Sequence, residues 1–433
     1  MPRASFAGGP PRKGRVFSCF AGRHDAPLEW RAPSKRRALI AALVVFAAML
    51  AGVPAHAINI DVEQVTVPKP LPPIPFVKPK PLPPPPVPRM RLTGMIETGD
   101  AGKLEAVLTR IASAAGKRDG PLTTIELSSM GGNLIEGFGI GELLRRFRVI
   151  AVVRKGDLCL SSCALAFLGG NVHREPSVYP HDCNVEIGAK VAFHNFFLNS
   201  NGLRDATSAD PVASRLQGFA DARGGAAQLV KYAGDMGLPP NFVASLMGRP
   251  VEEFQYIETV GQFLSFHVCP IGLGPPKASP ETQARNICIN SMGSPEQPAA
   301  VEVRAIPQEQ ARLYLLERLQ TSMQSSRSKA RGRLAAQLAS GAVMRVQAEI
   351  DRLYDDLRAA GVALPDIVGP TFEVNGLAPD ASCYASLSPS DADDFDVTVF
   401  SPRGFNYPPR QPPENSRRLF LYNKDDIVNP KPR

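Results

Sequence analysis

Residues 123–170 read TTIELSSMGGNLIEGFGIGELLRRFRVIAVVRKGDLCLSSCALAFLGG, and their pattern predicts the fold. Residues 123–127 and the apolar run 149–153 are predicted strands, whereas 133–147 places apolar residues at helical spacing. A second helix is predicted to begin at Ser161. Helices that alternate with strands in this way indicate a mainly parallel sheet with right-handed crossovers. The stretch therefore predicts the α/β class.

The same alternation continues on both sides of this stretch. Upstream, residues 91–96 are a predicted strand, and a helix is predicted from Gly99 through Ile111. Downstream, residues 185–193 are predicted to be mostly strand. We therefore expect one main globular domain at residues 91–272.

Three short elements of this domain carry groups that suit acyl transfer. Gly131 and Gly132 follow a predicted strand, Ser161 opens a predicted helix, and His194 ends a predicted strand. A serine hydroxyl needs an adjacent imidazole to become a nucleophile near neutral pH. The tetrahedral intermediate needs fixed N–H donors, which a glycine turn can bring close, and a helix N-terminus favours its negative charge.

The order of these elements resembles the proteolytic subunit of the Clp protease and the wider crotonase-like superfamily. The matching features are a strand ending in Ser-x-Gly-Gly, a serine turn followed by a helix and Gly-Gly, and a strand ending in histidine. Exported proteobacterial proteins of this superfamily carry a Cys-x-Ser-Ala-Cys element, which stands here at 159–163 as Cys-Leu-Ser-Ser-Cys. The resemblance covers roughly residues 91–265 and implies a crotonase-like spiral of ββα units.

The resemblance also implies roles for individual residues. Ser161 takes the family's nucleophile position, with Ser162 as an alternative that the register of the motif disfavours, and His194 takes that of the general base. Gly131 or Gly132, together with the backbone amide of Ser162, matches the donors of the oxyanion hole. The implied activity is that of a serine hydrolase, more narrowly a peptidase acting on peptide or protein substrates, with no cofactor and no metal.

The chain departs from this family at the third catalytic group. The family's aspartate is expected after a region that stands here at 232–250, and no aspartate occupies that position. Glu252 or Glu253 is the candidate substitute, or a Ser–His pair acts alone; Lys155 and Lys190 raise a Ser–Lys pair as a further alternative. Because an unoriented imidazole is a poor base, a catalytically inactive envelope scaffold or binding protein on the same fold stays open.

The first 57 residues are predicted to be a signal peptide or a membrane anchor. Basic residues 35–37 precede an apolar run, 38–53, and an Ala-x-Ala-like site follows at 55–57. The apolar run is shorter than the roughly 20 residues of a spanning helix, so the pattern favours an export signal. We expect the protein in the periplasm, or anchored in the inner membrane and facing the periplasm.

The formal net charge of +8 does not indicate nucleic-acid binding. Residues 1–57 hold nine Lys and Arg against Asp25 and Glu29, so most of the excess lies in the targeting region. We therefore expect no nucleic-acid partner. Membrane contact through the N-terminal segment and association with further copies of the chain stay open.

Six of the seven cysteines lie beyond residue 57. An even number of cysteines in an oxidising compartment predicts disulfides. The sequence leaves their pairing open: Cys159 and Cys163 bond either to each other or to Cys183. A bond between Cys159 and Cys163 would brace the serine turn. A zinc site is disfavoured because Cys-x3-Cys has no second ligand pair at the usual spacing.

The remaining segments differ in composition from the main domain. Residues 58–90 are a proline-rich linker, which predicts an extended, semi-rigid spacer. Residues 307–360 place leucines at helical spacing and predict a helical hairpin or a short coiled coil. Residues 361–433 are predicted to be an irregular C-terminal region with one strand-like piece at 397–400.

Overall fold

The computed structural model describes residues 58–63, 88–115, 120–170, 183–195, 211–292, 300–324, 347–359, 362, 364–378, 381–400 and 414–431. The predicted export signal and most of the proline-rich linker lie outside these ranges. Within the ranges, no helix combines the length and the apolar composition that crossing a bilayer requires.

The first half of the described chain alternates strands with helices, as its periodicity predicts. Its elements are β1 (Asn59–Glu63), β2 (Arg89–Thr93), α1 (Asp100–Ala115), β3 (Thr123–Ser128), α2 (Leu134–Arg146), β4 (Val149–Val153), β5 (Leu158–Leu160) and α3 (Ser162–Leu168). Asn133 caps α2, because its side chain accepts hydrogen bonds from the amides of Ile135 and Glu136. The elements predicted within 123–153 are confirmed to within about one residue at each end.

The main sheet has six strands and is mostly parallel. The next elements along the chain are β6 (Cys183–Glu186), β7 (Lys190–Phe193), α4 (Pro211–Asp235), α5 (Pro240–Met247), β8 (Gln255–Tyr256), α6 (Val260–Ser265), β9 (Val268–Ile271) and α7 (Pro280–Met292). The strand order is β1-β2-β3-β4-β6-β9, in which β1 runs antiparallel to β2 and the other pairs are parallel. The α/β class is confirmed.

A second, smaller sheet consists of β5, β7 and β8. Strand β7 runs parallel to β5 and antiparallel to β8. Residues 185–193 are mostly strand, as predicted, but the chain turns around Gly188, and the two strands, β6 and β7, join different sheets. The small sheet matters for the site, since Ser161 directly follows β5 and His194 directly follows β7.

Helix α3 is buried along its whole length and packs against α2. Tyr232 of α4 donates a hydrogen bond from its hydroxyl to the carbonyl oxygen of Leu165 in α3, at 2.6 Å. The same ring stacks on Phe138 of α2, with 4.7 Å between the ring centroids. One buried tyrosine therefore fixes three helices relative to one another, including the helix that begins at the serine turn.

The C-terminal part of the chain forms a second layer of sheet and helix. Its elements are β10 (Glu302–Ile306), a 3-10 helix (Gln308–Gln310), α8 (Ala311–Gln324), α9 (Gln347–Ala359), β11 (Thr371–Ala378), β12 (Ala381–Leu387), β13 (Phe395–Phe400) and a second 3-10 helix (Glu414–Leu421). The four strands are antiparallel in the order β10-β11-β12-β13. A disulfide between Cys288 and Cys383 ties α7 to β12.

This architecture corrects the prediction for residues 361–433, because the described part of that range is not an irregular appendage. The predicted strand-like piece is part of β13, but β11 and β12 were missed. Helices α8 and α9 of the predicted hairpin contact each other and share an apolar cluster with the sheet. The residues between these two helices lie outside the described ranges.

Strand β11 escapes a pattern-based prediction because it buries a carboxylate. Glu373 is 1% exposed and accepts hydrogen bonds from Tyr314 (2.7 Å) and Tyr384 (2.8 Å), with ion pairs to Arg304 (2.7 Å) and Arg318 (3.3 Å). Burial alone would raise the pKa of the Glu373 carboxyl, but these hydrogen bonds and charges outweigh burial and hold that pKa below its usual range. The carboxylate is thus a satisfied core group.

Candidate functional site

Ser161 lies in the turn between β5 and α3 and has an unusual backbone conformation. Its φ is 56° and its ψ is −125°, outside the regions that residues with a side chain normally occupy. Its amide donates to the carbonyl of Ala192 in β7 (2.9 Å), and its carbonyl accepts from Leu165 in α3 (3.2 Å). A strained residue held by its surroundings is characteristic of active sites.

A disulfide spans this turn. Cys159 in β5 is bonded to Cys163 in α3, and both residues are buried. Of the pairings that the sequence leaves open, the structure therefore has the local one and not the bond to Cys183. The bond fixes the chain on both sides of Ser161, and it occupies the sulfurs that a zinc site at Cys-x3-Cys would need.

His194 contacts the Ser161 hydroxyl. The Nε2 atom lies 2.7 Å from Ser161 Oγ, and the Nδ1 atom lies 3.0 Å from the carbonyl oxygen of Val251. A carbonyl oxygen only accepts hydrogen bonds, so in the neutral ring Nδ1 carries the proton and Nε2 presents its lone pair to the serine. This is the tautomer that a general base requires. Both side chains are half-buried and so remain accessible.

The segment that supplies this carbonyl is itself held in place. Asn195 donates from Nδ2 to the carbonyls of Met247 and Arg249, each at 3.3 Å. The ring of Phe254 lies against the imidazole, with 4.6 Å between the centroids. The next strand, β8, then pairs with β7. Asn195, which follows His194, and strand β7, which precedes His194, thus both hold the loop around Val251 in place.

The carboxylates proposed to orient the imidazole lie elsewhere. The side chains of Glu252 and Glu253 are exposed, and Glu253 forms an ion pair with Arg249. The backbone carbonyl of the preceding residue, Val251, takes the orienting position instead. The prediction that Glu252 or Glu253 orients His194 is therefore wrong, because the orienting group is a backbone carbonyl. The prediction is right only in placing the orienting group in this segment.

The Gly-Gly turn lies directly against the serine. Gly131 has a φ of 95°, and a Cβ atom added there would lie 2.6 Å from the Leu160 carbonyl oxygen, 2.7 Å from Ser161 Cβ and 3.1 Å from the Ser162 nitrogen. Gly132 has a φ of 144°, and an added Cβ would lie 2.1 Å from the carbonyl oxygen of Ile96. Only glycine fits at these positions.

The two glycines differ in what their amides do. The Gly131 amide donates to the hydroxyl of Ser129 at 3.1 Å, which takes it out of the set of oxyanion donors. The amide of Ser162 is at the first position of α3, where a helix offers its N–H groups no internal acceptor. Of the donors that the sequence leaves open, Gly132 and Ser162 are therefore the better pair.

The alternative nucleophiles and bases can be compared with this arrangement. The Ser162 side chain is 1% exposed, and its Oγ has no hydrogen-bond partner within the described part of the chain. The ammonium group of Lys190 binds the carbonyl of Pro430. The Ser161 hydroxyl meets an imidazole, so the geometry favours the Ser–His pair over a Ser–Lys pair with Lys190 or Lys155. Among the described residues, no group of His, Cys, Asp or Glu is arranged to hold a metal ion.

Neither a family model nor a curated protein matches this chain.

Proposed function

We propose that the chain is a serine hydrolase, more narrowly a peptidase, in which Ser161 is the nucleophile and His194 the general base. The observation that carries the proposal is the 2.7 Å contact between Ser161 Oγ and His194 Nε2, with the ring fixed by the Val251 carbonyl. Spacing of this kind is within reach of direct proton transfer. The strained serine and the adjacent glycine turn support the same conclusion.

The geometry suits the two half-reactions of acyl transfer. Ser161 Oγ attacks the carbonyl carbon of the substrate while its proton passes to His194 Nε2, and the carbonyl oxygen becomes an oxyanion. The amides of Ser162 and Gly132 are the proposed donors to that oxyanion. When the tetrahedral intermediate collapses, Nε2 returns the proton to the leaving amine and an acyl-serine remains. A water molecule then attacks the acyl-serine while its proton passes to Nε2. When the second tetrahedral intermediate collapses, Nε2 returns that proton to Ser161 Oγ and the acid leaves.

The finer description of the fold belongs to the same proposal. We infer that the core is a crotonase-like spiral of ββα units. The parallel succession β2-β3-β4-β6, with α1 and α2 as crossovers and a small second sheet beside it, supports this description. We also infer export to the periplasm, either as a free protein or anchored in the inner membrane. Two disulfides among the described residues support an oxidising compartment.

One observation favours the second candidate, an inactive scaffold or binding protein. The group that orients His194 is a neutral carbonyl, which stabilises the imidazolium formed during catalysis less than a carboxylate does. A site of this kind has the right tautomer but weaker support for the charged state. The two candidates differ in whether Ser161 forms a covalent adduct.

The test is covalent labelling with a fluorophosphonate. We expect the wild-type protein to be labelled on the peptide 156–174, with fragmentation placing the adduct on Ser161. Ser161→Ala should abolish the adduct, whereas Ser265→Ala, which removes an exposed hydroxyl on α6, should leave labelling unchanged. Absence of an adduct on the folded, oxidised wild-type protein would favour the scaffold.

Removing the disulfide between Cys159 and Cys163 should affect activity more, whereas removing the disulfide between Cys288 and Cys383 should affect stability more. Cys159 and Cys163 are four residues apart, for which loop-closure entropy gives about 2 kcal/mol, whereas the 95 residues between Cys288 and Cys383 give about 5 kcal/mol. Cys159→Ala with Cys163→Ala should slow labelling about tenfold, because the strained serine turn relaxes. Cys288→Ala with Cys383→Ala should lower the unfolding temperature more and leave the labelling rate near that of the wild type. Equal labelling rates in the two variants would contradict the bracing role of the local bond.

A further inference from the structure

The C-terminal segment 427–431 packs against the residues that precede β7 and follow β8. Ile427 forms an antiparallel bridge with Thr259. The amides of Val428 and Asn429 both donate to the carbonyl of Glu258, at 2.9 Å and 3.1 Å. The segment therefore lies along the residues that directly follow β8.

The Asn429 side chain reaches further into the fold. It is 2% exposed and uses its whole amide: Oδ1 accepts from the amide of Gly188 (2.9 Å), and Nδ2 donates to the carbonyls of Ala189 (2.9 Å) and Ile257 (3.4 Å). A carbonyl can only accept and an N–H can only donate, so the three partners fix which way the amide points.

The partners of Asn429 belong to the two segments that hold the imidazole. Ala189 directly precedes β7, and β7 ends at His194; Ile257 directly follows β8, and β8 is preceded by the loop that contains Val251. Strands β7 and β8 are paired at only two positions. One further hydrogen bond joins the two segments, from the Ile257 amide to the Val191 carbonyl. So short a pairing leaves the spacing of the two segments dependent on further ties.

We propose that Asn429 is a positioning residue for His194. It joins the start of β7 to the end of β8, and so holds the imidazole at one distance from both the Val251 carbonyl and the Ser161 hydroxyl. The inference rests on the proposed function for its effect on reactivity, but not for its effect on the imidazole. Lys190, at the first position of β7, adds a second tie through the Pro430 carbonyl.

A matched control exists in the same part of the molecule. Asn290 of α7 is also a buried asparagine (4% exposed), and its Nδ2 also donates to two carbonyls, those of Phe420 (3.1 Å) and Tyr422 (2.9 Å). It ties the C-terminal residues to α7 and not to β7 or β8. Asn429→Ala and Asn290→Ala thus remove similar groups, and only the first removes a tie between the residues that flank β7 and β8.

The experiment compares these variants in the full chain by two readouts. The first is the tautomer of the His194 ring, read from its nitrogen chemical shifts and assigned with His194→Gln. The second is the rate of fluorophosphonate labelling. We expect the wild type and Asn290→Ala to keep the Nδ1–H tautomer and the same labelling rate. Asn429→Ala should shift the ring towards the Nε2–H form and label about tenfold more slowly. Asn429→Ser, which keeps one donor, should lie between.

The outcomes separate this inference from the hydrolase proposal. If Asn429→Ala and Asn290→Ala have the same tautomer signal, Asn429 is only a structural contact and the inference is wrong. If the wild type does not react with the probe but Asn429→Ala changes the tautomer, the hydrolase proposal fails and the positioning role stands. Should Asn429→Ala not fold, the comparison of Asn429→Ser with Asn290→Ser decides in the same way.

Discussion

Replacing His194 by glutamine should slow fluorophosphonate labelling of Ser161 by about a thousandfold or more, because losing the base of a serine–histidine pair removes most of its reactivity. Glutamine keeps a polar group of similar reach but cannot take up the serine proton. The measurement is the pseudo-first-order labelling rate of the folded variant, with unfolding followed in parallel. His194→Ala should lose a similar factor and in addition the contact with Phe254.

The comparison with glutamine isolates proton transfer from packing. A histidine that only fills space beside Phe254 would be replaced by glutamine with little change in labelling. Labelling of His194→Gln at the wild-type rate would therefore show that Ser161 reacts without this base. In that case the 2.7 Å contact between Oγ and Nε2 would be a structural hydrogen bond, and the proposed mechanism would be wrong.

The sequence points to the proposed nucleophile and base more directly than to the groups that contact them. Ser161 and His194 are recognisable because few side chains combine as nucleophile and base, and their positions after predicted strands suggest that they meet. The partner of His194 Nδ1 is a backbone carbonyl, which every residue has, so the side chain of Val251 gives no sign of this role. The use of the Gly131 amide by Ser129 is hidden for the same reason.

The fold, like the site, can be predicted from the sequence only in part. The strands and helices of 123–153 follow from periodicity, because each buries an apolar face of regular spacing. Strand β11 breaks that pattern, since Glu373 is buried and is stabilised by residues distant in sequence, such as Arg304 and Tyr384. The tie between Asn429 and Ala189 spans 240 residues, and no local pattern marks it.

Gly131 lies directly beside Ser161, and the absence of a side chain at Gly131 leaves the space that the serine turn occupies. At Gly131 the space for a side chain is already taken by the Leu160 carbonyl oxygen and Ser161 Cβ, at 2.6 Å and 2.7 Å from an added Cβ. The first of these atoms is backbone and cannot rotate away, so the chain around the serine has to shift. A displacement of about 1 Å at a reacting group reduces rates by about a hundredfold.

Gly131→Ala should therefore reduce labelling of Ser161 by about a hundredfold and destabilise the domain by roughly 2–4 kcal/mol. Gly156→Ala is the matched control, because Gly156 has nearly the same φ, 88° against 95°, but no atom lies within 4 Å of an added Cβ. This control carries only the backbone strain of a positive φ, about 1 kcal/mol, and should label at the wild-type rate. Labelling rates and denaturant midpoints of the two variants separate strain from contact. If both variants keep the wild-type labelling rate, the close approach of Gly131 to Ser161 does not govern the geometry of the nucleophile, and the Gly-Gly turn is only a connection between β3 and α2.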